Sequence, residues 1–400
     1  MENQRRSSLS WLQEFLRLEA AGGVLLISAA ALAMLLANSP LASVYEDALA
    51  VVLEIRIGSA GVSKPLLLWI NDGLMAVFFL LVGLELKREV LDGHLASLRE
   101  ASLPGMAAIG GMAVPASFYA WLNWGDPVAM NGWAIPAGTD IAFALGILAL
   151  LGSRVPPALK VFLLSVAIFD DLGAIVIIAA FYSADLSLGA LPFAGAALLG
   201  LVALNRAGVV RLPGYFLLGC VLWLAVLKSG VHATLAGVVL AAFIPFRTRS
   251  EPDESPLLWL EHVLHPWVAF GVLPVFALAN AGVALGGLGP EALLGPVPLG
   301  IAGGMVVGKL VGVFGMSRIA VGLGLASLPE GVRWPHVAGV SLLCGVGFTM
   351  SLLIASLAFE HVGTGQPGVE RLGILVGSLV AGSLGYVALS TALPPREVSG

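Results

Sequence analysis

Apolar stretches of about 20 residues recur from residue 19 to near the C-terminus, and this repetition limits the possible folds more than any other feature. A soluble domain covers itself with charged residues at roughly a quarter of its positions. Here only 11% of residues are charged and 58% are hydrophobic, so lipid is the expected solvent for most of the chain. Without water, every backbone amide and carbonyl must find a partner within the chain, and apolar runs of this length satisfy that need as helices. About twelve spans are expected. They lie near 19–37, 66–85, 102–122, 133–152, 157–182, 189–205, 212–228, 230–246, 258–284, 296–319, 335–359 and 369–393. The fold class is therefore an all-α polytopic membrane protein, with 1–400 forming a single membrane domain. Arg5, Arg6 and Arg17 precede a first run containing Ala29, Ala30 and Ala31, as in a secretory signal. Its apolar core is longer than the ~7–15 residues of such a signal, so it is read as a retained helix.

Charge decides the orientation. With the N-terminus in the cytoplasm, 15 of the 20 Lys and Arg residues fall inside, among them Lys87, Arg88, Arg99, Arg154, Arg206 and Arg333. Arg56, Lys64, Lys228 and Arg371 fall outside, and Lys309 lies within a span. The positive-inside rule then places both termini in the cytoplasm. The net charge of -5, without a basic cluster, excludes a nucleic-acid partner. Cys220 and Cys344 have neither disulfide nor metal-ligand spacing and are read as packing residues. Residues 51–68 alternate around a Gly-Ser-Ala-Gly turn, which predicts a small external β-hairpin. Its free edge suits pairing with a second copy of the chain, and a plain solvated turn is the other reading. The acidic run 251–254 reads as a solvated loop.

An ionisable group at the bilayer centre costs at least about 2.5–3.5 kcal/mol, so charges inside spans mark a pathway or a partner. Asp140, Asp170, Asp171 and Lys309 are such groups. Asp72 and Glu85, at the two ends of the second span, read equally well as interfacial anchors. Asp170 and Asp171 lie in Phe-Asp-Asp-Leu-Gly near the middle of the fifth span. Adjacent helical residues point about 100° apart, so the two carboxylates flank one edge and cannot both face lipid. Hard cations such as Na+ prefer oxygen ligands, and a carboxylate that takes either a proton or a cation makes the two compete. Pro136 and Gly138 weaken the fourth span just before Asp140, and Gly345-Val346-Gly347 interrupts the eleventh. Broken helices are tolerated in lipid only where they pack within protein or line a cavity. Two such breaks would set half-helix dipoles facing each other, with Asp140 placed to offset the positive ends and Lys309 the negative ones. A plain ion pair of Lys309 with Asp170 or Asp171 remains open.

Several stretches, in order, resemble the bacterial NhaA family of Na+/H+ antiporters. They include Leu-Leu-Trp-Ile-Asn-Asp at 67–72, Phe-Phe-Leu-Leu-Val-Gly-Leu-Glu at 78–85, Thr-Asp-Ile-Ala-Phe-Ala-Leu-Gly at 139–146 and Phe-Asp-Asp-Leu-Gly-Ala-Ile at 169–175. Ser-Gly-Val-His-Ala-Thr-Leu-Ala-Gly at 229–237, Leu-His-Pro-Trp-Val-Ala at 264–269, Gly-Lys at 308–309 and Cys-Gly-Val-Gly-Phe-Thr-Met-Ser at 344–351 complete the set. That family is itself a known example of inverted-repeat transporters. The resemblance implies an inverted-repeat fold with discontinuous, crossed spans 4 and 11. It also implies a transport core from 102–182 and 296–393, and a scaffold carrying dimer contacts from 19–85 and 189–284.

In function, the resemblance implies electrogenic export of Na+ or Li+ against entering protons at the bacterial inner membrane, switched by pH and without a cofactor. Asp170 and Asp171 would bind the ion and the protons, Asp171 as the primary Na+ ligand and Asp170 paired with Lys309, with Thr139 and Asp140 in support. Glu85, Arg88, Glu89, Glu261, His262, His265 and His232 would be the pH-sensing candidates, while the free hairpin edge near 51–68 makes that segment the expected homodimer contact. The residues alone leave other classes open. Glu261-His262-Val-Leu-His265 invites a metallohydrolase reading, but the order differs from the His-Glu-x-x-His of zincins, and an enzyme is not expected. A passive cation channel is the nearer rival, since buried acids also line pores. Symport of an organic solute is a third reading.

Overall fold

The computed structural model describes residues 21–57, 60–93, 97–183, 189–246, 255–286, 289–359 and 368–394. Arg5, Arg6, Arg17, Arg247, Arg249, Arg396 and the acidic run 251–254 lie outside them. Helix α1 (Ala21–Ala37) is followed after a 111° bend by the short α2 (Ala42–Ala50). Strands β1 (Val52–Ile57) and β2 (Ala60–Pro65) then pair antiparallel, with Val52 opposite Pro65 and Ile55 opposite Val62. The expected hairpin is therefore present, and Val52, Leu53 and Ile55 are exposed on it.

Long helices follow: α3 (Leu66–Asp92) and α4 (Leu98–Leu122). A 3₁₀ segment (Ala129–Ala137) leads into α5 (Ile141–Leu150), and α6 spans Pro157–Phe181. Next come α7 (Leu191–Arg206), α8 (Leu212–Ser229), α9 (Leu235–Phe243) and α10 (Pro256–Asn280). The chain closes with α11 (Pro296–Gly322), α12 (Trp334–Leu343), α13 (Phe348–Phe359) and α14 (Val369–Ala392). Seven of these are long and apolar enough to cross a membrane, and ten if each bent pair counts as one span. With α7 and α9, each of the twelve expected runs carries a helix among the described residues. The protein is a multi-pass membrane protein of mostly helical fold.

Two runs differ in detail from the expectation. The run at 230–246 is α-helical only over Leu235–Phe243, because Gly230, with φ +82°, ends α8 in a left-handed cap and the chain turns before α9 begins. The second span continues past residue 85 to Asp92, so Glu85, Arg88 and Glu89 are helical residues of α3. Cys344 is buried, as a packing residue should be, whereas Cys220 is exposed on α8.

By internal packing the chain divides into two compact units. One comprises Met1–Ala31, Ser97–Ala174 and Val283–Gly400, the other Leu32–Ala96 and Ile175–Gly282. The first has an apolar core of Leu103, Leu145, Leu148, Leu159, Val337 and Leu343 and their neighbours. The second is built around Leu84, Leu201, Tyr215, Leu240 and Leu260. In the first unit, α11 contains two successive π-helical turns, Gly304–Gly308 and Leu310–Phe314, with Lys309 between them. Such turns concentrate at functional sites, because they re-aim side chains within a continuing helix. Gly304, Gly308 and Gly312 recur every four residues, and a Cβ on Gly308 would lie 2.7 Å from the Cα of Pro115 in α4. Small residues at this spacing let two backbones approach closely in lipid, which fixes the depth at which Lys309 is held.

Candidate functional site: the crossing of two broken helices

Within the first unit, the break between Ala137 and Ile141 meets the break between Leu343 and Phe348. The two bent pairs turn by 42° and 44° at these points. Contact is made through the main chain, the Asp140 amide donating to the Val346 carbonyl at 2.7 Å. Glycine permits it, since a Cβ on Gly347 would stand 2.7 Å from the Gly138 carbonyl oxygen. The Ser351 hydroxyl donates to the Ile135 carbonyl at 2.8 Å and uses one acceptor left over at the end of the 3₁₀ segment.

Asp140 is the N-cap of α5: one carboxylate oxygen accepts from the Phe143 amide at 3.0 Å. Its other oxygen accepts from the amide of Thr349 at 3.0 Å and from the Thr349 hydroxyl at 2.5 Å, at the start of α13. A single buried carboxylate thus serves two half-helix N-termini, the arrangement that opposes their positive ends. Lys309 acts differently from the expectation that it would offset the negative ends directly. Its ammonium donates to Asp170 Oδ2 at 2.6 Å and to the Thr139 hydroxyl oxygen at 2.9 Å. Thr139 Oγ1 lies 2.5 Å from Asp170 Oδ2 and 2.8 Å from the Cys344 carbonyl that follows α12. Among the described residues, Lys309 therefore reaches the carbonyl end of α12 through Thr139.

The Lys309–Asp170 pair has no solvent exposure at either side chain. Asp171, next along α6, is 1% exposed, and Asp170 Oδ1 is buried with no hydrogen-bond partner among the described residues. Asp170, Thr139, Asp140 and Lys309 are thereby gathered at one buried crossing, with buried Asp171 next to Asp170 in α6, and the carboxylate and hydroxyl oxygens are of the type that hard cations prefer.

In the second unit, Arg88 of α3 is the hub of another charge cluster. Its Nε donates to the two oxygens of Glu261 at 3.0 and 3.1 Å, and its Nη1 to Glu89 at 2.5 Å. Glu85, one turn earlier, also attracts Arg88, and His265, one turn beyond Glu261 on α10, interacts favourably with Glu261.

The family described as Na+/H+ antiporter 1 matches residues 13–389. The chain belongs to this family. A Na+/H+ antiporter NhaA of Shewanella sp. strain ANA-3 is 59% identical over 387 residues, covering 97% of this chain and 99% of the relative. The proteins of the same name from Shewanella baltica strain OS155, at 59%, and Shewanella amazonensis, at 60% over 383 residues, are similar to a like extent.

The remaining sensing candidates of this family member are dispersed. His262 is exposed on α10. His232 lies in the turn before α9, with its Nδ1 3.3 Å from the Thr234 hydroxyl, and its charged neighbours are Asp72 and Lys64. Asp72 is more than an interfacial anchor: it is buried in a π-helical turn of α3 and paired with Lys64 of β2 at 2.8 Å. Beside it, Asn71 and Asn280 exchange amide hydrogen bonds at 2.8 and 3.2 Å between α3 and α10. Sequence reasoning missed this pair and Thr349. Asn280 also donates to the Phe276 carbonyl of its own helix at 3.0 Å, so the signal available in the sequence was only the presence of an amide side chain within each of two apolar runs.

Proposed function

We propose that the chain exports Na+, and Li+ as well, in exchange for entering protons, by alternating access at the Asp170–Asp171 pair. The observation that carries this reading is the fully buried Lys309–Asp170 pair beside a second buried carboxylate. Asp171, the buried neighbour of Asp170 along α6, is the primary cation ligand. A cation entering this site meets a fixed ammonium and must compete with protons for the same oxygens, so ion and proton occupy it in turn. Exchange is electrogenic when the carboxylates and Lys309 together move more proton charge than cation charge.

The transport core is 102–182 with 296–393, which holds every residue of the crossing, and the scaffold is 19–85 with 189–284. The Arg88 cluster, with His262 and His232, adjusts activity to pH. The exposed apolar side chains of the hairpin support its role as the contact of a homodimer. The distribution of Lys and Arg supports an inner-membrane location with both termini in the cytoplasm.

Proteoliposomes carrying a pH-sensitive dye test the exchange. An imposed Na+ gradient should move lumenal pH, an imposed pH gradient should move Na+, and K+ should do neither. Na+ flux that proceeds without proton movement would identify a passive channel and overturn the reading.

A further inference from the structure

At the crossing, Asp140 accepts from the amides of Phe143 and Thr349 and from the hydroxyl of Thr349. The amides are main-chain groups that survive any side-chain substitution. The hydroxyl contact, at 2.5 Å, is a hydrogen bond to a carboxylate and so among the stronger kind. Thr349 itself is 2% exposed and stands on α13, outside the residues that hold the ion.

The Asp140 backbone is fixed on the other side by its amide bond to Val346. Thr139 directly precedes it, and the Thr139 hydroxyl meets both Lys309 Nζ and Asp170 Oδ2. A shift of Asp140 is therefore passed through one peptide unit to the only hydroxyl on the Lys309–Asp170 pair among the described residues. Ser351 offers an internal comparison, because its hydroxyl also crosses between the broken helices but ends on the Ile135 carbonyl and not on Asp140.

We propose that Thr349 is a positioning residue for the cation site: by holding the Asp140 carboxylate across the crossing, its hydroxyl sets where Thr139 meets the Lys309–Asp170 pair. The balance between cation and proton at the pair then depends on a side chain that touches neither. This rests on the exchange reading above.

The test is Na+ titration of exchange at several pH values in proteoliposomes of the wild type, Thr349→Val, Thr349→Ser and Ser351→Ala, with a thermal melt of each purified protein. Thr349→Val keeps the shape and removes the hydroxyl. It should raise the apparent KM for Na+ about 3- to 10-fold and move the pH of half-maximal exchange by about half a unit or more, as expected for loss of one charge-assisted hydrogen bond. Thr349→Ser should restore wild-type behaviour, and Ser351→Ala should stay within about twofold of it. If Thr349→Val does not accumulate, Thr349→Cys, with its weaker donor, should show the same displacement at smaller size. An unchanged KM and pH profile in the hydroxyl-free variant overturns the proposal. So does a Thr349→Ser as impaired as Thr349→Val, or a Ser351→Ala that matches it, since either makes the role structural. A wild type without Na+/H+ exchange overturns the exchange reading, and this inference with it.

Discussion

The crossing in one unit and the Arg88 cluster in the other both hold charge in a membrane protein, but by different means. At the crossing one ammonium meets one carboxylate with 0% exposure on both sides. Around Arg88 a single guanidinium serves Glu89 and Glu261 directly and Glu85 at longer range, with side chains 19% and 10% exposed for the Arg88–Glu261 pair. A dry one-to-one pair has two states, bonded or broken. Breaking it by removing one partner leaves an uncompensated charge at a cost of about 3–5 kcal/mol. A partly wet cluster of one cation and several acids has many intermediate states and adjusts by degrees. The first arrangement suits obligatory exchange of ions, the second suits graded control of its rate.

That contrast can be broken most sharply at Asp171. If Asp171 holds the cation as proposed, Asp171→Asn should lower Na+/H+ exchange by at least about 100-fold while the thermal melt stays near wild type. Lys309 comes next. Lys309→Arg retains a cation and should retain measurable exchange, whereas Lys309→Ala should move the active range to higher pH, since Na+ then competes with protons at a pair that has lost its fixed positive charge. A pH profile indistinguishable from wild type in the alanine variant contradicts the pairing. At the other region Arg88→Ala should displace the pH profile while changing the maximal rate no more than about threefold, a graded response. Complete loss of exchange there would erase the distinction between the two regions. The smallest effect on transport is expected from removing residues 52–65, which should yield a monomer by native mass measurement with exchange largely kept.

How much of this was legible beforehand follows from the range of each interaction. The twelve apolar runs announce themselves because each is local in the sequence, and Asp140, Asp170, Asp171 and Lys309 stand out because lipid makes a lone charge expensive. Pro136 and the Gly345–Gly347 stretch gave away the breaks for the same local reason. Pairings across the chain were not readable from such signals. Lys309 is 139 residues from Asp170, and Thr349 is 209 from Asp140. Periodicity alone left open which acid Lys309 would choose, and it did not reveal Thr349. The 3₁₀ form of Ala129–Ala137 and the π-helical turns around Lys309 were also hidden, because a hydrophobic pattern in lipid is nearly continuous and carries little phase. Asp72 looked like an anchor because its partner, Lys64, belongs to a hairpin strand and not to a span.

Exchange at this site requires cation and proton to compete for one carboxylate pair. Calorimetric titration of the purified protein with Na+, repeated in buffers of different ionisation enthalpy and across pH, counts the protons released as the ion binds. Competition at Asp170 and Asp171 predicts proton release on binding and an apparent Na+ affinity that weakens steadily as pH falls, with both signals absent in Asp171→Asn. Na+ binding that is independent of pH, or that persists unchanged in Asp171→Asn, would contradict the account.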